Sequence, residues 1–410
     1  MDDLHRSALI RGVATFAAVA VVGSVLVWTL DRASGTDATP VPTSSAPSAS
    51  TSVAPPTPEA WLTWVPGGLP PSYGDLVGTV PDVVASTTAT ADVAWMTASL
   101  DADGNGVDEP QPPMMIPVEV TGVDPTFAAF IPEPERQLVQ NLRPGEGALS
   151  ESEANLRGLG DGATLLFQGG EEIAIVGTLP DALMGDYEVL VTRDTARRLQ
   201  VTHERYVLFH VRAGSQLAPE DLIPAFRELL PADTPYPAVE VRAPGETAYL
   251  RANDRAIPPV ALKSKFGEFA AHPDATDPTR LVIDPRWVND NIQSATLPLL
   301  GTVTCHTKTL FLLKQAMRAL EAAGATAAIT DVGACFDPVA SPEDPSGPLT
   351  ATAWGASILL NPASNAAGDR PTQPKELVQE MYRWGYGWGG NDAYPQGALF
   401  RYRKPPTAQD

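Results

Sequence analysis

Sulfur and imidazole are scarce in this chain. Among 410 residues there are two cysteines, Cys305 and Cys335, and five histidines, His5, His203, His210, His272 and His306. A structural zinc site draws its four ligands mainly from those residue types, so two sulfurs exclude a Cys-based zinc site. Positive charge is short as well: 28 Lys and Arg face 49 Asp and Glu, a formal charge of −21. Nucleic-acid binding needs a basic face, and this balance rules out nucleic acid as a partner. It also disfavours docking on anionic lipid through general surface charge. Length imposes no comparable limit, since it allows roughly two to three domains with cores of their own.

Ionisable residues are missing altogether from positions 12–30. An apolar run of this length spans a hydrocarbon core of about 30 Å as a helix, so residues 1–32 are expected to be a short cytoplasmic stub and a single transmembrane anchor. Arg6 and Arg11 precede the run and Arg32 follows it, which orients the N-terminus to the cytoplasm. A cleaved signal peptide is the alternative, but its apolar region is about 7–15 residues and no Ala-x-Ala site follows here. Residues 33–58 are nearly all Ser, Thr, Ala, Pro and Val. Such a segment cannot bury enough apolar surface to offset chain entropy, and its prolines keep it extended. An anchor followed by a spacer places the bulk of the chain outside the cell membrane, facing the wall. In that oxidising setting Cys305 and Cys335 read as one disulfide, the alternative being two buried thiols.

Residues 59–262 read as a β-rich α+β domain. Residues 206–212 and 238–242 have the alternation of strands. Gly169-Gly170 stands between two more, 164–168 and 172–177, as a hairpin turn. Ser150 with Glu153 forms a capping-box pattern for a helix ending near Gly158, and Pro219 opens another running to about Leu230. Asp101-Ala102-Asp103-Gly104-Asn105-Gly106 matches the start of a calcium loop, but the twelfth position is Pro112, where a Glu is required; an acidic turn between strands is the better reading. The segments Ile116-Pro117-Val118-Glu119-Val120, Val123-Asp124-Pro125, Gly147-Ala148-Leu149-Ser150 and Gly160-Asp161-Gly162 together resemble the extracytoplasmic core domain of ABC-type export permeases. That resemblance implies an interaction domain and no transport by this chain alone.

Residues 263–405 read as a second α+β domain. Leu310, Leu313, Met317 and Leu320 recur at helical spacing, with Gly324 as C-cap. Pro374 starts a second amphipathic helix through Leu377, Val378, Met381 and Tyr382 to Gly385, and Ile358-Leu359-Leu360 reads as a buried strand. The order Phe266-Gly267-Glu268-Phe269, Ile283-Asp284-Pro285-Arg286-Trp287, Val303-Thr304-Cys305-His306, Cys335, Thr352-Ala353-Trp354-Gly355 with Asn361, and Trp384-Gly385-Tyr386-Gly387-Trp388-Gly389-Gly390 resembles the zinc D-alanyl-D-alanine carboxypeptidase (VanY-like) family. The resemblance implies a zinc held by His, Asp and His. Here the three positions hold Thr352, Leu359 and Leu399, none of which ligates zinc.

The resemblance also implies an acidic base, where Gln396 or Gly397 stands, and a substrate-binding Arg, where Asp337 or a neighbour stands. It supports pairing of the two cysteines. No catalytic residue and no metal site follow from such a set, and the zinc expected of the family has no ligands. Trp354, Asn361, Tyr386, Trp388 and Asp392 are the candidate lining of a binding cleft, with a core role for the aromatics equally open. The expected function is therefore a membrane-anchored pseudo-peptidase that binds peptidoglycan peptides or an envelope protein without cutting. An active metallopeptidase with ligands relocated to His272 or His306, and an accessory or sensor subunit of an envelope complex, are the alternatives.

Overall fold

The computed structural model describes residues 60–403 apart from 186, 235–236, 247–256, 278 and 340–348. The expected anchor at 1–32 and spacer at 33–58 lie outside the described residues. Among the described residues no helix is long and apolar enough to cross a membrane.

Ten strands make the main sheet: β1 Trp61–Trp64, β2 Val83–Leu100, β3 Gly106–Asp108, β4 Ile116–Val123, β5 Glu146–Ser150, β6 Thr164–Phe167, β7 Glu172–Leu179, β8 Val189–Thr192, β9 Glu204–Val211 and β10 Glu240–Arg242. They run in the order β10-β1-β9-β2-β4-β8-β5-β7-β6, with β3 on β2 and β6 returning to pair with β2. The long strand β2 therefore stands at both ends of the path through β4, β8, β5, β7 and β6 and closes it like a barrel. Closure removes exposed strand edges. β2 changes partner along its length, from β9 at Val83–Thr90 to β4 at Thr90–Met96 and β6 at Met96–Leu100. Register shifts at Ala89/Thr90 and Met96/Ala98 accompany these changes, as expected of bulges that bend a strand. Val118, Val120, Leu165, Ile173, Ile175, Val189 and Val191 share one core cluster, pairs such as Ile173 and Ile175 lying two residues apart as the pleat requires. Gly122 is needed for a close approach: a Cβ there would lie 2.3 Å from that of Ala196.

The turn residues behave as expected. β6 and β7 are antiparallel, with Leu166 opposite Glu172 and Gly169 and Gly170 both at positive φ. Ser150 Oγ accepts the Glu153 N–H at 3.1 Å, but the reciprocal half of the capping box is missing. The Ser150 N–H goes to the Glu188 carbonyl, and the Glu153 carboxylate turns to Arg157. Asp101 folds its carboxylate onto the Asn105 N–H and side chain, an acidic turn between β2 and β3.

Beyond position 263 the strands are short: β11 Ala271–Pro273 with β12 Leu281–Ile283, β13 Ile292–Leu297 with β14 Gly301–His306, and β15 Ser357–Leu359, β16 Tyr386–Trp388 and β17 Leu399–Tyr402 in the order β15-β17-β16. The Thr307–Ala322 helix buries Leu310, Leu313, Met317 and Leu320, which join Ile358, Leu377, Met381 and Phe400 in one core. Cys305 and Cys335 are bonded in that core, with Cα atoms 5.2 Å apart.

The described residues belong to one compact unit. The Pro259–Phe266 helix runs through position 262, where the sequence places a domain boundary, and Ala271 exchanges backbone hydrogen bonds with Met115. Between the barrel and this helix lies a buried ionic junction. Lys263 Nζ is 2.7 Å from Glu188 Oε1 and 3.3 Å from Glu268 Oε1. Arg157 clamps Glu268 with two nitrogens at 2.7 and 3.1 Å, and also meets Glu153 and Asp108. The side chains of Arg157, Lys263, Glu153 and Glu188 are at most 1% exposed.

Two cations thus serve four carboxylates. Burial and the surplus of like charge push Glu153 up to about 7 against the pull of Arg157. Burial also raises Glu188. Burial works against the charged form of Lys263 as well, but Glu188, Glu268 and Glu153 outweigh it and raise the ammonium to about 12.

Candidate functional site

The segment that carries the peptidase resemblance folds as a turn and a strand pair. Ala351–Trp354 forms a 3-10 turn closed by Gly355 at φ 61°. A Cβ on Gly355 would stand 2.6 Å from the His306 backbone nitrogen, so a strand end and a left-handed turn both demand glycine here. Trp354 is fully buried, tilted against Phe269 with ring centroids 4.8 Å apart, and its Nε1–H donates to the Gly267 carbonyl. Trp-Gly in this chain is therefore a packing device.

Two of the three expected ligand positions meet. Leu359 on β15 is directly opposite Leu399 on β17 in the antiparallel register. Thr352 sits in the preceding turn, its hydroxyl bonded to that of Thr350 and its carbonyl accepting the Asp337 N–H. Leu399 is buried and Leu359 half-buried, ordinary conditions for apolar strand residues. Among the described residues no three of His, Cys, Asp and Glu gather in a way that holds a metal ion.

The candidate cleft residues are committed to structure. Asn361 takes the left-handed conformation at φ 54°, which Asn tolerates better than most residues. Its Oδ1 accepts the Thr330 N–H, and its Nδ2 donates to the Ala328 carbonyl and to Gln373. The Tyr386 hydroxyl donates to the Thr309 carbonyl, and burial raises its pKa above the ordinary tyrosine value. Trp388 is half-buried and donates to the Gly397 carbonyl at 2.8 Å. Asp392 receives Arg401 as a two-pronged fork, at 2.7 and 2.5 Å. Trp354, Asn361, Tyr386 and Asp392 are all buried, so they offer a ligand no shared open face.

Of the relocated-ligand candidates, His306 has both ring nitrogens engaged. His306 caps the Thr307–Ala322 helix through Nδ1, which accepts the Lys308 N–H, and its Nε2 faces the Phe266 carbonyl at 3.0 Å. That pair of partners fixes the neutral tautomer with the proton on Nε2. Burial lowers its pKa, opposed by the Phe266 carbonyl. No lone pair remains for a metal or a proton. His272 Nδ1 turns to the Pro273 carbonyl at 2.8 Å. Asp337, at the position of the substrate Arg, pairs instead with Arg280.

The sequence offers no signal for the ionic junction, because Arg157 and Glu268 are 111 residues apart. It also misses Arg401 as the partner of Asp392, although opposite charges near one strand were visible.

No protein-family model and no curated protein matches the chain. The carboxypeptidase resemblance therefore gains no support from either. Part of the chain does overlap solved structures of the permease class named above for the middle region. The periplasmic region of MacB from Actinobacillus actinomycetemcomitans overlaps 45% of this chain and 88% of its own, at 9% identity and a TM-score of 0.31. A permease-protein domain from Porphyromonas gingivalis overlaps 44% and 87%, at 17% identity and 0.26. The extracellular domain of the noncanonical ABC-type transporter YknZ from Gram-positive bacteria overlaps 45% and 98%, at 12% identity and 0.27. Overlaps this loose do not establish a shared function.

Proposed function

We propose that this chain is a non-catalytic, membrane-anchored extracytoplasmic protein that works as an accessory or sensor subunit of an envelope complex. The observation that carries this reading is what stands at the expected ligand positions and how His306 and Asp392 are engaged. Leu359 and Leu399 face each other where two metal ligands are expected. His306 and Asp392 spend their polar atoms on the Phe266 carbonyl, the Lys308 N–H and Arg401. Zinc prepares its nucleophile by lowering the pKa of a bound water to about 7, and these residues do not fit a zinc ion. The disulfide supports an extracytoplasmic setting. The buried junction supports a partner-binding role, because it makes barrel and C-terminal region one body able to present a fixed surface.

Three measurements on the full chain test this. Metal analysis is expected to find no stoichiometric zinc, and incubation with a peptide ending in D-alanyl-D-alanine is expected to release no D-alanine. Chelator-sensitive hydrolysis would overturn the reading. Photo-crosslinking in membranes is expected to capture an envelope protein, whereas capture of wall fragments alone would restore the peptidoglycan-binding alternative.

A further inference from the structure

In a chain with formal charge −21, cations converge on one cavity of about 620 Å³. Lys265, Lys308, Arg383 and Arg403 line it together with Phe311 and Trp384, and among the described residues no carboxylate lines it. The cations come from separate elements: the last turn of the Pro259–Phe266 helix, the first turn of the Thr307–Ala322 helix, the last turn of the Lys375–Arg383 helix, and the residue just after β17. Lys265 lies over the Tyr402 ring at 5.7 Å, and Lys308 donates to the Lys265 carbonyl. Among the described residues neither lysine is paired with a carboxylate. Arg403 stacks on Tyr382 at 3.9 Å. Arg383 is 72% exposed while bonded to Glu380, which also holds the Trp384 indole N–H. Phe311 is 63% exposed at the cavity, an apolar side chain left in water amid like charges.

We propose that this cavity binds a small phosphate ester whose organic part is apolar or aromatic. Lys265 and Lys308, side by side on two helix ends with Arg383 and Arg403 beside them, match a phosphate monoester, which carries up to about two charges and three acceptor oxygens. Arg supplies forked donors and Lys a mobile point charge, the usual pairing for phosphate. Phe311 and Trp384 supply the wall on which the organic part rests. The volume lies within the range of about 300–1,000 Å³ common to small-ligand sites. This site stands apart from the Leu359–Leu399 region, and the proposal does not rest on the accessory-subunit reading.

The test is calorimetric titration of 1-naphthyl phosphate into the full chain in phosphatidylcholine nanodiscs. Saturable binding that weakens with salt is expected. Inorganic phosphate should bind at least about tenfold more weakly, for want of the apolar wall. Lys265→Gln with Lys308→Gln should weaken naphthyl phosphate at least about tenfold. Phe311→Ser, at an exposed position, should weaken the ester while leaving inorganic phosphate unchanged. Competition from phosphatidylglycerol in the disc would mark a lipid-borne phosphate as the natural source; its absence would mark a free ester. No saturable binding, or equal affinity in the lysine double variant with its circular dichroism unchanged, would overturn the proposal. Equal affinity for inorganic phosphate would overturn its apolar half.

Discussion

Arg401 is buried, and Asp392 is its bidentate partner within the same core. Removing one member of a buried pair leaves the other charge in a poor medium at a cost of about 3–5 kcal/mol. Asp392→Ala is therefore expected to lower stability by that amount in urea denaturation, while Asp337→Ala, on a surface pair with Arg280, should cost under about 1 kcal/mol. A cleft role for Asp392 would instead show as unchanged stability. Glu153 gives a second residue-scale test. Burial raises its pKa to about 7 from an ordinary 4.5, so the folded state holds a proton that the unfolded state releases. Its cost is absent below about pH 4.5 and grows as pH rises to about 7. His306, with its lowered pKa, pulls the other way over part of that window. The difference between proteins is thus the measure: Glu153→Gln should gain stability relative to wild type as pH rises from 5 to 7, by on the order of 2–3 kcal/mol. A constant difference would refute the assignment.

At the scale of elements, what was legible in sequence was local. The stripe Leu310, Leu313, Met317 and Leu320 predicts the Thr307–Ala322 helix because burial on a helix repeats every three or four residues. The same rule places Leu377 and Met381 correctly in the Lys375–Arg383 helix, but Tyr382 stays 42% exposed, with the Arg403 guanidinium stacked on its ring. The sequence leaves the aromatic residues of the motif undecided. Trp354 and Tyr386 look alike as cleft or core in a linear string, and only the tertiary positions of Gly267 and Thr309 settle them as core. The barrel was illegible for a related reason: β2 serves four partners, and a strand's period does not say with whom it pairs. The disulfide joins β14 to the loop before β15 across a separation of 30 residues. Closing a loop of that size is worth about 3–4 kcal/mol. Replacing both cysteines by serine should lower stability by about that much, read as the shift in urea midpoint between variant and wild type.

For the whole molecule, the ionic junction decides whether barrel and C-terminal region unfold together. Lys263→Met leaves Glu188 and Glu268 facing each other in a buried site, and a loss of about 3–5 kcal/mol is expected. Calorimetry of wild type should show one transition, and that of the variant should broaden or split. Adding Glu188→Leu to Lys263→Met should recover part of the loss, since a well-packed apolar pair costs less than a lone buried charge.

Closure of the barrel region also sets an order in time. Trp61 on β1 is paired with Phe209 on β9, and Leu62 with Arg242 on β10. The first strand of this body has no backbone partner until nearly all of the sheet has been synthesised, and contacts of such separation form slowly. β2 waits likewise, offering β4 a partner early but leaving its Val83–Thr90 half open until β9 arrives. During synthesis the emerging chain thus carries an unsatisfied edge, the state most exposed to aggregation. A chain stopped before β9 would remain in that state, so completion of the sheet waits on its ninth strand.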